Sequence, residues 1–150
     1  MQNGLILASY RTKNNLSQKE MADILKIAYS TYKVYEAGLL PMKLEEINTL
    51  SNYFNISLDY LLNLSKKPDT NNFRRSIDYR YLRFCMRFLR RRDRISQKKL
   101  AQEFNISLYT ISKYERCPEK VNISYLYAFA KKFNISIDYL CGKSLKKEVL

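Results

Sequence analysis

The chain has 150 residues, 46% apolar and 27% charged, which fits one ordinary domain or two very small ones and excludes disorder throughout. Its 27 Lys and Arg against 14 Asp and Glu leave a net charge of +13, which favours a polyanionic partner such as nucleic acid or an anionic membrane. Because the chain has no His and only three Gly, His-dependent catalysis, His metal sites and a glycine-rich phosphate loop are excluded, and we expect no enzyme activity, metal or cofactor.

The cysteines and the lengths of the apolar runs indicate where in the cell the protein is expected. Cys85, Cys117 and Cys141 are too widely spaced to indicate a disulfide framework or a zinc knuckle. No apolar run approaches the ~18 residues of a membrane span, and the start of the chain lacks the positive region of a leader. We therefore expect a soluble, cytoplasmic protein.

The first part of the chain predicts five helices and no strand. Apolar positions three and four apart, with Ser17 and Ser57 as N-caps, place the helices at roughly 4–14, 17–25, 28–37, 43–54 and 57–63.

Residues 66–75 are typical of a linker. They include Pro68, Asp69, Asn71 and Asn72 and show no apolar periodicity. At about 3.3 Å per residue, this segment spans up to roughly 33 Å.

The second part again predicts five helices, at roughly 77–93, 96–104, 107–116, 122–133 and 136–142, followed by a basic tail at 144–150. Its first helix is longer than that of the first part, with Ser76 as the expected N-cap. Helical spacing there relates Ile77, Tyr81, Phe84, Cys85, Phe88 and Leu89.

The two parts are copies of one unit. A shift of 79 residues without a gap lays Phe54-Asn55-Ile56-Ser57 on Phe133-Asn134-Ile135-Ser136, and 17 of the 55 positions between Arg11 and Ser65 are then identical. We assign residues 1–65 and 76–143 to two domains. Domains of about 60 residues lie near the lower limit for an independent core, so we expect the two to pack together as an internal pseudo-dimer.

The segment from Ile95 to Glu115, which opens Ile95-Ser96-Gln97 and closes Lys113-Tyr114-Glu115, resembles the Cro/cI-like (XRE) helix-turn-helix family almost position by position. The segment from Leu16 to Gly38 matches the same pattern. The resemblance implies an all-α protein with two tandem, five-helix, lambda-repressor-like domains. In this fold the second helix of each motif enters the major groove of DNA.

Several residues have structural roles on this interpretation. Ala22 and Ala101 lie where the two motif helices cross. The turn needs a residue that tolerates positive φ, which Asn105 supplies, whereas the first copy has Lys26 there and is expected to lose some stability. The resemblance also implies one buried Arg–Glu pair in each copy. These pairs are Arg11 with Glu36, and Arg90 with Glu115.

The resemblance further implies which residues meet DNA. Gln18 and Gln97 would touch phosphate or support a base-reading side chain. Base edges would be met by Tyr29, Ser30, Lys33 and Val34 in the first copy and by Leu108, Tyr109, Ser112 and Lys113 in the second. Contacts to the DNA backbone would come from Thr31, Thr110 and Arg116.

We call the second helix of each motif, which would enter the major groove, its reading helix. Two reading helices in one chain suggest that a single chain binds DNA as a dimer of one-domain proteins does. Their base-facing residues differ at every position, so we expect an asymmetric or imperfectly palindromic target. The helices would lie about 34 Å apart on one face of the duplex, within the reach of the linker.

The charge is concentrated in the second copy. Residues 1–70 hold eight Lys and Arg against seven Asp and Glu, whereas residues 71–150 hold nineteen against seven. The densest run, which includes Arg91 and Arg92, precedes the Ser96-Gln97 helix start and is expected to lie along phosphates. An ordinary solvated helix face is the alternative interpretation of those two arginines.

We expect a sequence-specific, double-stranded DNA-binding protein that regulates transcription, most simply as a repressor. One alternative is an accessory protein of a conjugative plasmid or other mobile element that marks an operator or origin. Another is an antitoxin-like or adaptor protein in which the first copy packs on the second copy or on a protein partner instead of on DNA, and a homodimer is also compatible with the sequence. The thirteen tyrosines allow base stacking on single strands, but most of them lie at core spacing.

Overall fold

The computed structural model describes residues 3–69 and 74–147. Residues 70–73 of the expected linker and the last three residues of the expected basic tail lie outside this range. Within it the chain is helical, and its one β-bridge, between Lys43 and Asn122, is isolated. No helix in these segments combines the length and the apolar character that crossing a membrane requires.

The first copy forms five helices close to the predicted positions, namely α1 (Asn3–Lys13), α2 (Gln18–Leu25), α3 (Tyr29–Glu36), α4 (Leu44–Phe54) and α5 (Leu58–Leu61). The expected N-caps are confirmed. The Ser17 hydroxyl accepts a hydrogen bond from the Glu20 N–H while the Glu20 carboxylate accepts one from the Ser17 N–H, and Ser57 caps α5.

The second copy repeats this order with α6 (Tyr79–Arg92), α7 (Gln97–Glu103), α8 (Leu108–Arg116), α9 (Ile123–Phe133) and α10 (Ile137–Leu140), and with a short 3₁₀ turn at Pro118–Lys120. As predicted, α6 is longer than α1, with 14 residues against 11.

The predicted N-cap at Ser76 is wrong. Asp78 caps α6, because its carboxylate accepts the Tyr81 N–H. The residues before it are tied to other elements: the Arg75 carbonyl accepts from Asn48, and the Asp78 N–H donates to the Cys141 carbonyl. The helix therefore begins only after this docked segment.

The helical spacing in α6 covers two stripes that differ in burial. Cys85 and Leu89 are buried in the core together with Leu82 and Met86, whereas the side chains of Phe84 and Phe88 face solvent.

The two alanines lie where the sequence predicts them. Ala22 and Ala101 are almost fully buried where the motif helices meet. Lys26 (φ 55°) and Asn105 (φ 52°) both adopt the left-handed conformation, so the turn requires positive φ whichever residue occupies it.

The predicted packing of the two copies on each other is confirmed, and it is reciprocal. The carboxylate of Asp138 accepts the Leu58 and Asp59 N–H groups at the start of α5. The carboxylate of Asp59 accepts the Ile137 N–H and the Ser136 hydroxyl at the start of α10. Each closing helix is thus capped by the other copy.

A second set of contacts joins α4 to the second copy. The ammonium of Lys143, which is fully buried, donates to Asn48 and Ser51. The Ile123 N–H donates to the Met42 carbonyl at the other end of the interface. These contacts hold the two domains as one pseudo-symmetric body.

Candidate nucleic-acid interface

The first motif is oriented by a buried ion pair. In this pair Arg11 Nε donates to Glu36 Oε2 at 3.0 Å and Arg11 Nη2 donates to Glu36 Oε1 at 2.8 Å. Arg11 also donates to the Leu16 carbonyl before α2. Burial alone raises the pKa of Glu36, but hydrogen bonds from Arg11 and Gln18 outweigh it and hold that pKa below its usual value. The pair fixes α3 against α1.

The second motif repeats this arrangement more deeply. Arg90 donates to both carboxylate oxygens of Glu115, at 2.5 and 3.0 Å, and to the Ile95 carbonyl. The Arg–Glu pairs expected from the family resemblance are therefore confirmed in both copies. Such two-pronged contacts set the angle between helices.

The two glutamines at the helix starts are held by these pairs. Gln18 Nε2 donates to Glu36 at 3.2 Å, and Gln97 Nε2 donates to Glu115 at 2.8 Å. The Tyr29 hydroxyl donates to the carbonyl oxygen of Gln18, whereas Leu108 stands at the equivalent position in the second copy and has no hydroxyl. The carbonyl oxygen of Gln97 thus lacks this partner.

On α3 the predicted base-facing residues lie on the outer surface. Tyr29, Ser30 and Lys33 are exposed and Val34 is half-buried, while Tyr32 and Tyr35 on the opposite side fill the core. The Lys33 ammonium lies 5.2 Å from the centre of the Tyr29 ring. The described contacts between the two copies come mainly from α4 and α5, so the outer face of α3 is not part of that packing.

On α8 the corresponding residues form a similar outer row. Leu108 and Tyr109 are exposed, and Ser112 and Lys113 are half-buried. The Lys113 ammonium lies 6.0 Å from the centre of the Tyr109 ring and 5.6 Å from that of Tyr114, so its charge rests against aromatic faces.

The residues expected to contact the DNA backbone flank these rows. Thr31 is half-buried, and Arg116 is exposed at the end of α8. The Thr110 hydroxyl is hydrogen-bonded to that of Ser107 at the start of α8.

Arg91 and Arg92 are exposed at the end of α6, and a short loop separates them from the start of α7 at Gln97. Arg92 forms an ion pair with the neighbouring Asp93 at 2.8 Å, so part of its charge is already compensated. Arg91 is the more available cation for a phosphate.

Sequence reasoning missed one residue of this cluster. Arg87 Nε lies 3.8 Å from Glu115, so a second arginine approaches the carboxylate that orients α8. Its position one turn before Arg90 on α6 is the signal that indicates the contact.

Comparisons with known proteins agree with this geometry. A family model described as "Helix-turn-helix domain" matches residues 4–67, and a second, described as "Helix-turn-helix", matches residues 86–140. No solved structure matches the chain.

Two curated proteins of Bacillus subtilis (strain 168) are similar to parts of the chain. "HTH-type transcriptional regulator AnsR" is 39% identical over 64 residues, which cover 43% of this chain and 55% of that protein. "Uncharacterized HTH-type transcriptional regulator YobD" is 30% identical over 71 residues, which cover 47% of this chain and 63% of that protein. The chain thus spans less than two thirds of the length of either relative.

Proposed function

We propose that the chain binds double-stranded DNA in a sequence-specific manner and regulates transcription, because it has two tandem helix-turn-helix domains that resemble the Cro/cI-like (XRE) family. Two relatives carry names as transcriptional regulators, which supports this role. Occlusion of a promoter is the simplest mechanism for such a protein. A DNA ligand implies a cytoplasmic location and a binding role in place of catalysis.

The proposal rests on an arrangement that both copies share. In each, a buried Arg–Glu pair, which we call the clamp, lies behind an exposed row of side chains on the reading helix. In both copies an Arg–Glu pair fixes the angle of the reading helix, and that helix keeps its outer side chains free. The rows also leave large hydrophobic side chains in solvent, namely Tyr29, Leu108 and Tyr109, and exposed apolar groups of this kind are typical of interaction sites.

We assign roles to the side chains by their position on these rows. Lys33 and Lys113 reach for guanine acceptors, since Lys is suited to O6 and N7 in the major groove. Tyr29, Ser30, Val34, Leu108, Tyr109 and Ser112 provide the other base-edge contacts. Thr31, Thr110, Arg91, Arg92 and Arg116 contact the phosphate backbone, with Gln18 and Gln97 beside them.

Both reading helices belong to one body, so we infer that a single chain covers two half-sites. The interface contacts at Asp59, Asp138 and Lys143 fix the relative orientation of the motifs before DNA is met. Preorganisation of this kind reduces the entropy lost on binding.

The proposal is tested by selection of genomic DNA fragments with the purified full chain, followed by salt titration on the best fragment and on a scrambled fragment of equal length. Strong preference for the selected fragment supports the proposal. Equal affinity for both, with only the steep salt dependence of phosphate neutralisation, contradicts it.

A further inference from the structure

The solvent side of α6 presents two phenylalanines among arginines. Phe84 and Phe88 are 60% and 51% exposed, and their rings stack with centroids 5.7 Å apart. They are four residues apart, which places them about 6 Å from each other along the helix axis at a rise of 1.5 Å per residue. We name this surface the Phe–Arg face and define it by Arg80, Arg83, Phe84, Arg87, Phe88 and Arg91, which line an open depression of about 700 Å³.

The internal repeat shows that the fold does not need this face. The positions of Phe84 and Phe88 are occupied in the first copy by Leu5 and Ser9, and that of Arg87 by Ala8. The first copy nevertheless forms the same helix and the same Arg–Glu clamp. The aromatic and basic side chains of α6 are therefore an addition to the common fold.

DNA binding by α8 does not account for the phenylalanines. Phosphates pair with arginines, but they leave phenyl rings in water. A contiguous apolar patch rimmed by charges is typical of a protein interaction site. The face has four arginines and no acid, and although Arg87 approaches Glu115, the other three form no ion pair with any of the described residues. Arg80, Arg83 and Arg91 therefore leave a net positive charge around the two phenyl rings.

We propose that the Phe–Arg face docks an acidic amphipathic helix of a partner protein. Large apolar side chains of the partner, spaced three and four residues apart, cover Phe84 and Phe88, and its carboxylates pair with the surrounding arginines. A second copy of this chain bound through the same face would place arginine against arginine. Charge complementarity therefore selects an acidic partner over self-association.

The probe is a designed, fluorescently labelled helical peptide of about five turns, with Leu and Phe on one face and Glu on the others. One control peptide has the same composition in scrambled order, and another carries Gln in place of Glu. Fluorescence anisotropy measures binding to the full chain. The test variant is Phe84→Leu with Phe88→Ser, which removes the stacked aromatic pair. Its matched control is Tyr53→Ser, which removes an exposed aromatic ring from α4.

The Glu peptide should bind the wild-type chain saturably. Its affinity for the Phe84/Phe88 variant should be at least about tenfold weaker, and so should the affinity of the wild-type chain for each of the two control peptides. Binding by Tyr53→Ser stays unchanged. The affinity of the Phe84/Phe88 variant for selected DNA also stays unchanged, which separates this site from the reading helices.

Charge reversal provides a second readout that does not depend on the aromatic pair. The double variant Arg80→Glu with Arg83→Glu should weaken binding of the Glu peptide. It should also allow binding of a peptide that carries Lys in place of Glu. Circular dichroism checks that each variant remains folded.

The proposal is overturned if the Glu peptide does not bind, or if it binds the Phe84/Phe88 variant as well as the wild type. It is also overturned if that variant instead loses affinity for a single-stranded oligonucleotide, or if it converts a dimer to a monomer in sedimentation. Those results would assign the face to nucleic-acid bases or to a second copy.

Discussion

At the scale of single residues, the repeat offers a natural comparison of two side chains in one backbone conformation. Lys26 and Asn105 both adopt positive φ in the motif turn. The left-handed region costs a residue with an ordinary side chain about 1–2 kcal/mol, whereas Asn tolerates it better. Lys26 is therefore a strained residue in the first copy.

We predict that Lys26→Asn raises the free energy of unfolding by about 0.5–1 kcal/mol, because it relieves part of that strain. Urea denaturation of the full chain measures the change. The reciprocal variant Asn105→Lys is the control and should lower the free energy of unfolding by a similar amount. An unchanged or lower stability of Lys26→Asn would contradict the strain argument.

The Arg–Glu clamps differ in depth, and this difference predicts unequal costs. The side chains of Arg90 and Glu115 are 9% and 2% exposed, against 16% and 8% for Arg11 and Glu36. Glu115→Ala should cost about 3–5 kcal/mol, because it leaves a buried guanidinium without its partner. Glu36→Ala should cost less, since water reaches Arg11 more easily. Equal losses in thermal or urea denaturation would refute this ranking.

At the scale of the helix, most of α1 to α10 could be predicted from the sequence, because amphipathic spacing and serine caps are local signals. The start of α6 does not follow from the sequence, because Ser76 and Asp78 are both acceptable caps. The choice between them is made by the contacts that tie residues 75 and 78 to α4 and to the end of α10.

The exposure of the Phe84 and Phe88 side chains also does not follow from the local sequence. Both stripes of α6 are apolar, so spacing alone does not tell which one is buried. The repeat held a signal, since the equivalent of Phe88 is Ser9. The family resemblance, not the spacing of residues, indicates the base-facing rows. In the structure their exposed side chains are accessible. Their roles in DNA binding stay predictions.

The two reading helices should contribute unequally to DNA affinity. The second copy carries most of the positive charge, so we predict that Lys113→Ala and Arg91→Ala weaken binding to a selected fragment more than Lys33→Ala does. Lys113→Ala should cost about 1–3 kcal/mol and relax the preference at one base pair, as expected for a base contact.

Arg91→Ala should instead weaken binding to all sequences and reduce the salt slope by about one, as expected for a phosphate contact. Titrations on the selected fragment and on point-mutated fragments at several salt concentrations separate the two roles. Equal losses for Lys113→Ala and Lys33→Ala would overturn the ranking of the helices.

At the scale of the whole molecule, the interface contains a pair of buried carboxylates with different surroundings. Asp138 accepts two backbone N–H groups, whereas Asp59 accepts one N–H and the Ser136 hydroxyl. Burial, together with the neighbouring Asp138 carboxylate, raises the pKa of Asp59 to about 7. The repeat displays both aspartates in the sequence, but nothing local indicates that each one caps the helix of the other copy.

This asymmetry predicts how stability depends on pH. Between the ordinary Asp pKa of about 3.9 and the raised value, the folded state binds more protons than the unfolded state, so stability falls as the pH rises through this range. Asp59→Asn mimics the protonated acid and should flatten this slope. Asp138→Asn should destabilise the protein throughout, because an amide cannot accept both N–H groups. Urea denaturation at pH 4.5 to 8 checks both, and an unaltered slope in Asp59→Asn would contradict the assignment.

One chain that presents two fixed reading helices to DNA should cover two half-sites without a second copy. Hydroxyl-radical footprinting of the selected fragment, with the binding stoichiometry measured on the same sample, tests this most directly. We predict one chain per fragment and two protected patches about 10 base pairs apart on one face of the duplex. A single patch per chain, or two chains needed for two patches, would contradict it.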